Sequence, residues 1–522
     1  MAKAQKNRAS KTPYVSPNQL EFVGFESAFT KHLDANNRWV RLSKQIPWDK
    51  IANVYRKQLN NSITGADGIN PRVAIGAIFI KHICDLSDRE TVDQIQENVY
   101  MQYFIGYSSF SYEPVFDPSL FVDLRKRFGA EQINEINETI MGLVRKEQED
   151  TKGTDLTVPN DKNTEVESLD VKQSNEPTQQ TMQEIPISLP ENKGSLIVDA
   201  TACPQDISYP TDLNLLNDSR EKAEGLIDFL YDPSKHDKKP RTYRENARKV
   251  YLKTAQKKKK TKKEIRIAIR KQLGFLKRDI KGIYKLLDSF EKMPFNPRQY
   301  KYFLVIQTLY EQQEKMYREK IHSIEHRIVS IHQPHVRPIV RGKTNANVEF
   351  GAKIQMSIMN GITFLEDLSW EAFNEGARLI STVENYKRRF GYYPQKVFAD
   401  KIYCNRDNRA KLKERKIILV AKPLGRPSLA VDNHIRPGER NPIEGKFGQA
   451  KTAYGMNRIK ARLSNTSESW IASIVLVLNL IKIIGQALVS LFIKFYKKYR
   501  DLQNPVITIL KYQSSRKIDI FI

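Results

Sequence analysis

The sequence predicts an α/β domain, a mixed sheet flanked by helices and split by an inserted helical hairpin, behind a mainly α N-terminal domain. Three observations predict it. Short apolar runs, LIVDA (196–200), NVEFGAKI (347–354), KVFAD (396–400) and IILVA (417–421), alternate with helix-like text, the pattern of a sheet covered by helices. Between the first two runs, Ile269, Leu273, Leu276, Ile280, Ile283 and Leu287 repeat at spacings of four and three, a coiled-coil-like stripe. Before the first run lies a Thr-, Asn-, Gln- and acid-rich stretch, 148–194, with Pro159, Pro177, Pro186 and Pro190 spread through it and no apolar period. It reads as a flexible acidic linker.

Residues 17–147 read as helical. Apolar periodicity runs from Val73 to Leu86, and Ser87-Asp88-Arg89-Glu90 and Asp117-Pro118-Ser119 signal helix starts. Tyr100, Tyr103, Phe104 and Tyr107 form an aromatic cluster best read as core packing. The α/β domain is expected over 195–500, with the basic helical hairpin inserted at 235–335. Pro294 and Pro297 break the first stripe, and a second runs through Leu309, Met316, Ile321, Ile324, Ile328 and Ile331. Then come a hairpin, 347–359 with 361–365, a helix near 370–389, a strand 396–399, a helix 405–415, a strand 417–421, and a helix from about Pro442.

Composition narrows the partner. With 86 Lys and Arg against 60 Asp and Glu, the net charge is +26, which favours a polyanion through phosphate contacts and counterion release. A ribosomal or membrane-surface role would use the same charge. The three cysteines, Cys84, Cys203 and Cys404, are far apart, so neither a disulfide framework nor a cysteine-rich zinc site is expected. Residues 1–14 are basic and polar, with no signal-peptide core. Residues 470–495 are long and apolar enough to span a bilayer. Asn479, Lys482 and Gln486 near their middle argue instead for a buried or partner-facing helix.

Two acids follow apolar strand text, Asp199 and Asp400. Each alone is most simply a turn or cap residue. Phosphoryl transfer on DNA needs two hard cations about 4 Å apart, held by a few carboxylates with positions left open. Arg440, Glu444 and Lys451 stand at i, i+4 and i+11, one face of a helix. A carboxylate between two cations suits metal and phosphate together, although an ordinary surface ion pair has the same spacing. Among weaker candidates, His332 and His335 are separated by Pro334, Asp206 and Asp212 read as turn residues, and Lys257, Lys258, Lys259 and Lys260 read as DNA-backbone contacts.

These blocks resemble the DDE transposases of bacterial insertion sequences, whose catalytic domain is ribonuclease-H-like. One branch marks its last acid with Tyr-x2-Arg-x3-Glu-x6-Lys. Here Arg440-NPI-Glu444-GKFGQA-Lys451 matches, with Pro437 in the tyrosine's place. VDATACPQDISYPTDLNLL and FADKIYCNRDNR resemble the blocks around the first and second acids. LSDRETVDQIQENVYMQYFIGY with FDPSLFVDLRKRFG resembles the family's helical N-terminal domain, used for end recognition or assembly. The resemblance implies catalytic, metal-binding Asp199, Asp400 and Glu444, two Mg²⁺ ions with Mn²⁺ as substitute, and phosphate contacts from Arg440 and Lys451. It implies cleavage at the element's ends and transfer of the 3′-hydroxyl into target DNA. The expected partners are double-stranded DNA, as terminal inverted repeats and target, and a second copy of the chain in a homodimeric synaptic complex. No small-molecule substrate or membrane is expected, and the place is the bacterial cytoplasm with the nucleoid. The alternative is a catalytically inactive or domesticated DNA-binding protein of the same origin. The hairpin and the helix after Trp470 are candidate dimer surfaces.

Overall fold

A computed structural model describes residues 32–57, 68–153, 191–340, 348–422, 438 and 440–485. The expectations for Pro437, for residues 17–31, for 154–190 of the linker and for 486–495 fall outside these. The helices α1 (Arg38–Gln45), α2 (Trp48–Lys57), α3 (Pro71–Ile83), α4 (Asp88–Glu97), α5 (Val99–Phe104), α6 (Leu120–Arg127) and α7 (Ala130–Gly153) precede the sheet. Their ends follow local chemistry. Asn70 caps α3 with Pro71 at its first turn, where a missing N–H costs nothing. Ser87 and Glu90 close a reciprocal capping box on α4. Asp88 then receives Arg125 at 2.8 and 2.7 Å and Lys81 at 3.0 Å, so the LSDRE and DLRKRF blocks lock α3, α4 and α6 together. Helix α7 continues to Gly153, past the expected linker boundary at 148.

The sheet contains β1 (Ser195–Pro204), β2 (Arg337–Val340), β3 (Val348–Met359), β4 (Ile362–Ser369), β5 (Lys396–Phe398) and β6 (Ile418–Val420). Its order is β2-β3-β1-β5-β6, with β4 also on β3. β3 is antiparallel to β1, β2 and β4, whereas β1, β5 and β6 are parallel. Gly351 lets β3 approach β1; a Cβ there would collide with the Cys203 carbonyl. The helices after β4 are α12 (Leu379–Phe390), α13 (Arg406–Glu414), α14 (Asn441–Ala453) and α15 (Ser464–Gly485). Trp370 lies outside the helix expected near 370–389, because helical backbone begins only with the 3₁₀ turn at Glu375–Arg378.

Between β1 and β2 stand α8 (Asp212–Leu230), α9 (Arg244–Ala255), α10 (Lys262–Leu287) and α11 (Pro297–Glu319). They bury a core of their own, with Leu216 and Ile227 of α8 against Leu276, Ile283, Ile306 and Leu309. Three departures from expectation follow. The inserted unit includes α8, so α10 and α11 are not a free-standing two-helix hairpin. The second stripe stops being helical at Lys320, whose φ of 58° ends α11. Ile328 and Ile331 still reach the core, from irregular backbone held by Gln312, whose side-chain oxygen accepts from the Ile328 N–H at 2.9 Å.

The insertion's core holds an unpartnered acid. Asp279 of α10 is buried with both carboxylate oxygens lacking a hydrogen-bond partner. Burial, with the Glu224 carboxylate next, pushes its pKa up to about 8, while Arg220, Arg278 and Arg244 offset part of this. A raised acid pKa stabilises the fold fully below the unfolded value of 3.8, and stability is lost as pH climbs to about 8. Asp279→Asn is therefore expected to unfold at a higher temperature than wild type above that window and at the same temperature below it. Calorimetry across pH checks this; parallel curves would reject it.

The largest core joins both parts of the chain. Trp39, Phe79 and Phe121 from the N-terminal helices share it with Ile354 and Met356 of β3 and Leu476 of α15. Helix α15 is long and apolar enough to cross a membrane, yet 72% of its most apolar window is buried inside the molecule. Its described part is thus largely covered by the chain's own N-terminal helices and sheet.

Candidate active site

Asp199 lies within β1, not at its end: it pairs with Met356, and the strand continues to Pro204. On the other side, β1 and β5 are parallel with Ile197 opposite Phe398. Asp199, still within β1, and Asp400, two residues past the end of β5, each follow that pair by two residues. Asp400 has left the strand. Its Oδ1 accepts the Lys401 N–H at 2.8 Å and caps the 3₁₀ turn Lys401–Tyr403. The capping role that strand-end acids usually play is thus present at Asp400.

Arg440, the N-cap residue of α14, joins the two acids. Its Nη2 donates to Asp199 Oδ2 at 2.8 Å, and its Nη1 lies 3.2 Å from Asp400 Oδ1. Asp199 is 16% exposed and Asp400 53%, so one acid is sheltered and the other open to solvent. Burial raises the Asp199 pKa, opposed by the Ala200 N–H and Arg440 and assisted by Glu375.

Three residues not named from sequence complete the surroundings. Glu375 opens the 3₁₀ turn before α12 and pairs with Lys353 of β3 at 2.9 Å. The Tyr403 hydroxyl is buried without a partner. Burial holds its pKa well above the usual phenol value, with Glu375, Asp199 and Asp400 adding to the effect. Only weak signals mark them in the sequence: Lys353 lies in the NVEFGAKI run, Glu375 within the helix expected near 370–389, and Tyr403 in the FADKIYCNRDNR block.

The other expected site residues stand apart. Glu444 is exposed on α14, one turn beyond Arg440. Lys451 lies in the last turn of that helix, roughly 16 Å from Arg440 along the axis. Among the described residues, no group of three or more His, Cys, Asp or Glu side chains is arranged to hold a metal ion. Of the three expected acids, Asp199 and Asp400 are brought together by the Arg440 guanidinium, which contacts both. The pair does fit Mg²⁺ in kind, with hard carboxylate oxygens that share one guanidinium and an open side at Asp400.

Lys257–Lys260 form the exposed connection from α9 to α10, and Lys257 pairs with Glu264. Asp206 and Asp212 serve the fold: Arg458 binds Asp206 at 2.9 Å, and Arg327 binds Asp212 at 2.7 Å. His335 packs edge-on to Trp370, and His332 Nδ1 meets the Tyr302 hydroxyl at 2.8 Å.

Two domain families match the chain: a transposase domain (DUF772) over residues 27–127 and a transposase DDE domain over 397–481. The first spans α1 to α6. The second begins in β5 and covers Asp400, Arg440, Glu444 and most of α15. The chain is also similar to an uncharacterised protein, ORF8 of the nfe locus of Rhizobium meliloti. The two are 30% identical over 149 residues, which is 26% of this chain and 69% of that one. No solved structure matches. A DDE domain implies a ribonuclease-H-like fold, and the mixed sheet flanked by helices is consistent with it.

Proposed function

The chain belongs to the transposases that carry these two domains, and from that premise we propose that it cuts DNA at the ends of an insertion sequence and joins the freed strand to target DNA. The observation that carries this reading is the carboxylate pair Asp199, in β1, and Asp400, just past the parallel neighbour β5, bridged by Arg440.

In this reading Asp199 and Asp400 hold divalent cations and Glu444 completes the set from α14. Two Mg²⁺ ions held there, or Mn²⁺ in their place, would supply charge stabilisation to the reacting phosphate. A water oxygen attacks the phosphorus at the element's end, and the broken P–O bond leaves a 3′-hydroxyl. That hydroxyl attacks a target phosphorus, displacing the target's own 3′-oxygen. Arg440 and Lys451 orient phosphate beside the reacting bond, and Lys257–Lys260 touch the DNA backbone. Double-stranded DNA, as terminal inverted repeats and target, is the substrate. Holding two ends together calls for a homodimer or larger complex, which works on the nucleoid in the bacterial cytoplasm. The Tyr-Arg-Glu-Lys signature supports this through Arg440, Glu444 and Lys451 alone.

The exposed position of Glu444, with no group of three metal-ligating side chains gathered among the described residues, favours a second reading: a DNA-binding protein without catalysis. One experiment separates them. The purified chain is incubated with Mg²⁺ or Mn²⁺ and a labelled duplex carrying its element's end, beside a Glu444→Gln variant. Cleavage at the end, lost in the variant, supports the transposase mechanism. Binding without cleavage under either metal supports the second reading.

A further inference from the structure

The densest positive charge of the molecule lies on the insertion. Residues 235–335 hold 28 Lys and Arg against 10 Asp and Glu, so they carry 18 of the chain's 26 net positive charges. Helix α10 turns that excess to one side. At about 100° per residue, Lys263, Arg270, Lys271, Lys277, Lys281 and Lys285 all project within roughly 60° of Gly274. Each is exposed, and no Asp or Glu of the helix falls in that sector. Leu276, Ile283 and Leu286 occupy the opposite, buried side.

Two features of this face are costly for the free protein. Lys277, Lys281 and Lys285 follow one another at i, i+4, where like charges repel, and the Glu314 carboxylate of α11, 3.7 Å from Lys277, offsets only that first charge. Gly274 stands mid-helix, where glycine costs stability relative to alanine. A Cβ on Gly274 would meet nothing within 4 Å, so internal packing does not explain the glycine. A polyanion lying along the face relieves the repulsion and gives a use to the missing side chain. From Lys263 to Lys285 the helix rises about 33 Å, close to one turn of duplex DNA at about 34 Å. Of the apolar side chains in this sector only Ile267 is exposed, at 39%, whereas a protein interface needs buried aromatic or aliphatic anchors.

We propose that the outer face of α10 is a sequence-independent track for the phosphate backbone of duplex DNA, with Gly274 at the point of closest approach. It rests on the DNA reading of the protein but not on the catalytic centre.

The test uses the full chain in EDTA, with a labelled mixed-sequence duplex and fluorescence anisotropy over a salt series. The triple variant Arg270→Gln, Lys277→Gln, Lys281→Gln is expected to bind about tenfold or more weakly. Its log–log salt slope should flatten by up to about 3, at roughly 0.9 per lost phosphate contact. Gly274→Gln is expected to raise the thermal midpoint and yet bind DNA several-fold more weakly, a combination that a merely structural glycine would not give. Unchanged affinity and slope in the triple variant would overturn the track. So would a loss seen only with a poly-glutamate probe, which would give the face to an acidic protein. Cleavage with Mn²⁺ is scored separately: its absence beside intact α10 effects counts against the catalytic reading alone.

Discussion

An Asp199→Asn chain is expected to lose metal-dependent cleavage by at least about a thousandfold while keeping its fold and its DNA binding in EDTA. Asp199 is the sheltered member of the acid pair. Its Oδ1 accepts the Ala200 N–H at 2.8 Å and its Oδ2 accepts from Arg440 at 2.8 Å. Asparagine keeps an acceptor for one of these donors but removes the charge that a hard cation requires. The substitution also relieves the desolvation that raises the Asp199 pKa, so folding is spared while chemistry is not. The same geometry makes Arg440 a competitor: its guanidinium and a divalent cation seek the same oxygens of Asp199 and Asp400. Metal affinity should therefore rise in Arg440→Gln and fall in Asp199→Asn, readable by Mn²⁺ titration without any turnover. Cleavage by Asp199→Asn within tenfold of wild type would remove this residue from the chemistry.

Sequence reasoning reached the parts of this molecule that local chemistry decides. The strand runs at β1, β3, β5 and β6 were legible because apolar alternation and β-branched residues suffice to mark them. The start of α4 was legible because Ser87 and Glu90 satisfy each other's backbone within three residues. Tertiary pairing was not. Nothing local reveals that β1 and β5 are parallel neighbours, which brings Asp199 and Asp400 to one side of the sheet's end, since the two strands are separated by the whole insertion. Nor does any spacing announce that Arg440 bridges both, or that Lys353 and Glu375 close the same neighbourhood. The second stripe of the insertion overran because apolar period persists through Ile328 and Ile331 after the backbone has turned at Lys320. Periodicity reports which residues seek a core, not whether the chain stays helical on the way.

The largest expected loss of stability comes from making the apolar helix more apolar. Asn479 of α15 is fully buried, and each of its amide groups is used. Its Oδ1 accepts from the Thr363 N–H at 2.8 Å and the Thr363 hydroxyl at 2.9 Å. Its Nδ2 donates to Asn137 Oδ1 and to the Thr363 carbonyl, both at 2.8 Å. Asn137 Nδ2 donates to that carbonyl at 3.1 Å, so one network ties α7, β4 and α15. Leucine has the same γ-branched outline in a larger, apolar form and a better helix propensity, and composition alone would predict a gain. The physical expectation is opposite. Asn479→Leu strands the Thr363 N–H and Asn137 Oδ1 in a dry core, at about 1–3 kcal/mol each, for a total near 4 kcal/mol. The loss should be local to the junction, so proteolysis or hydrogen exchange should report α7 loosening before the sheet does. Asn137→Leu combined with Asn479→Leu should recover part of it, since that pair removes the stranded acceptor along with its donor. A denaturation midpoint at or above wild type for the single variant would mean that apolar packing alone holds the N-terminal helices to the sheet.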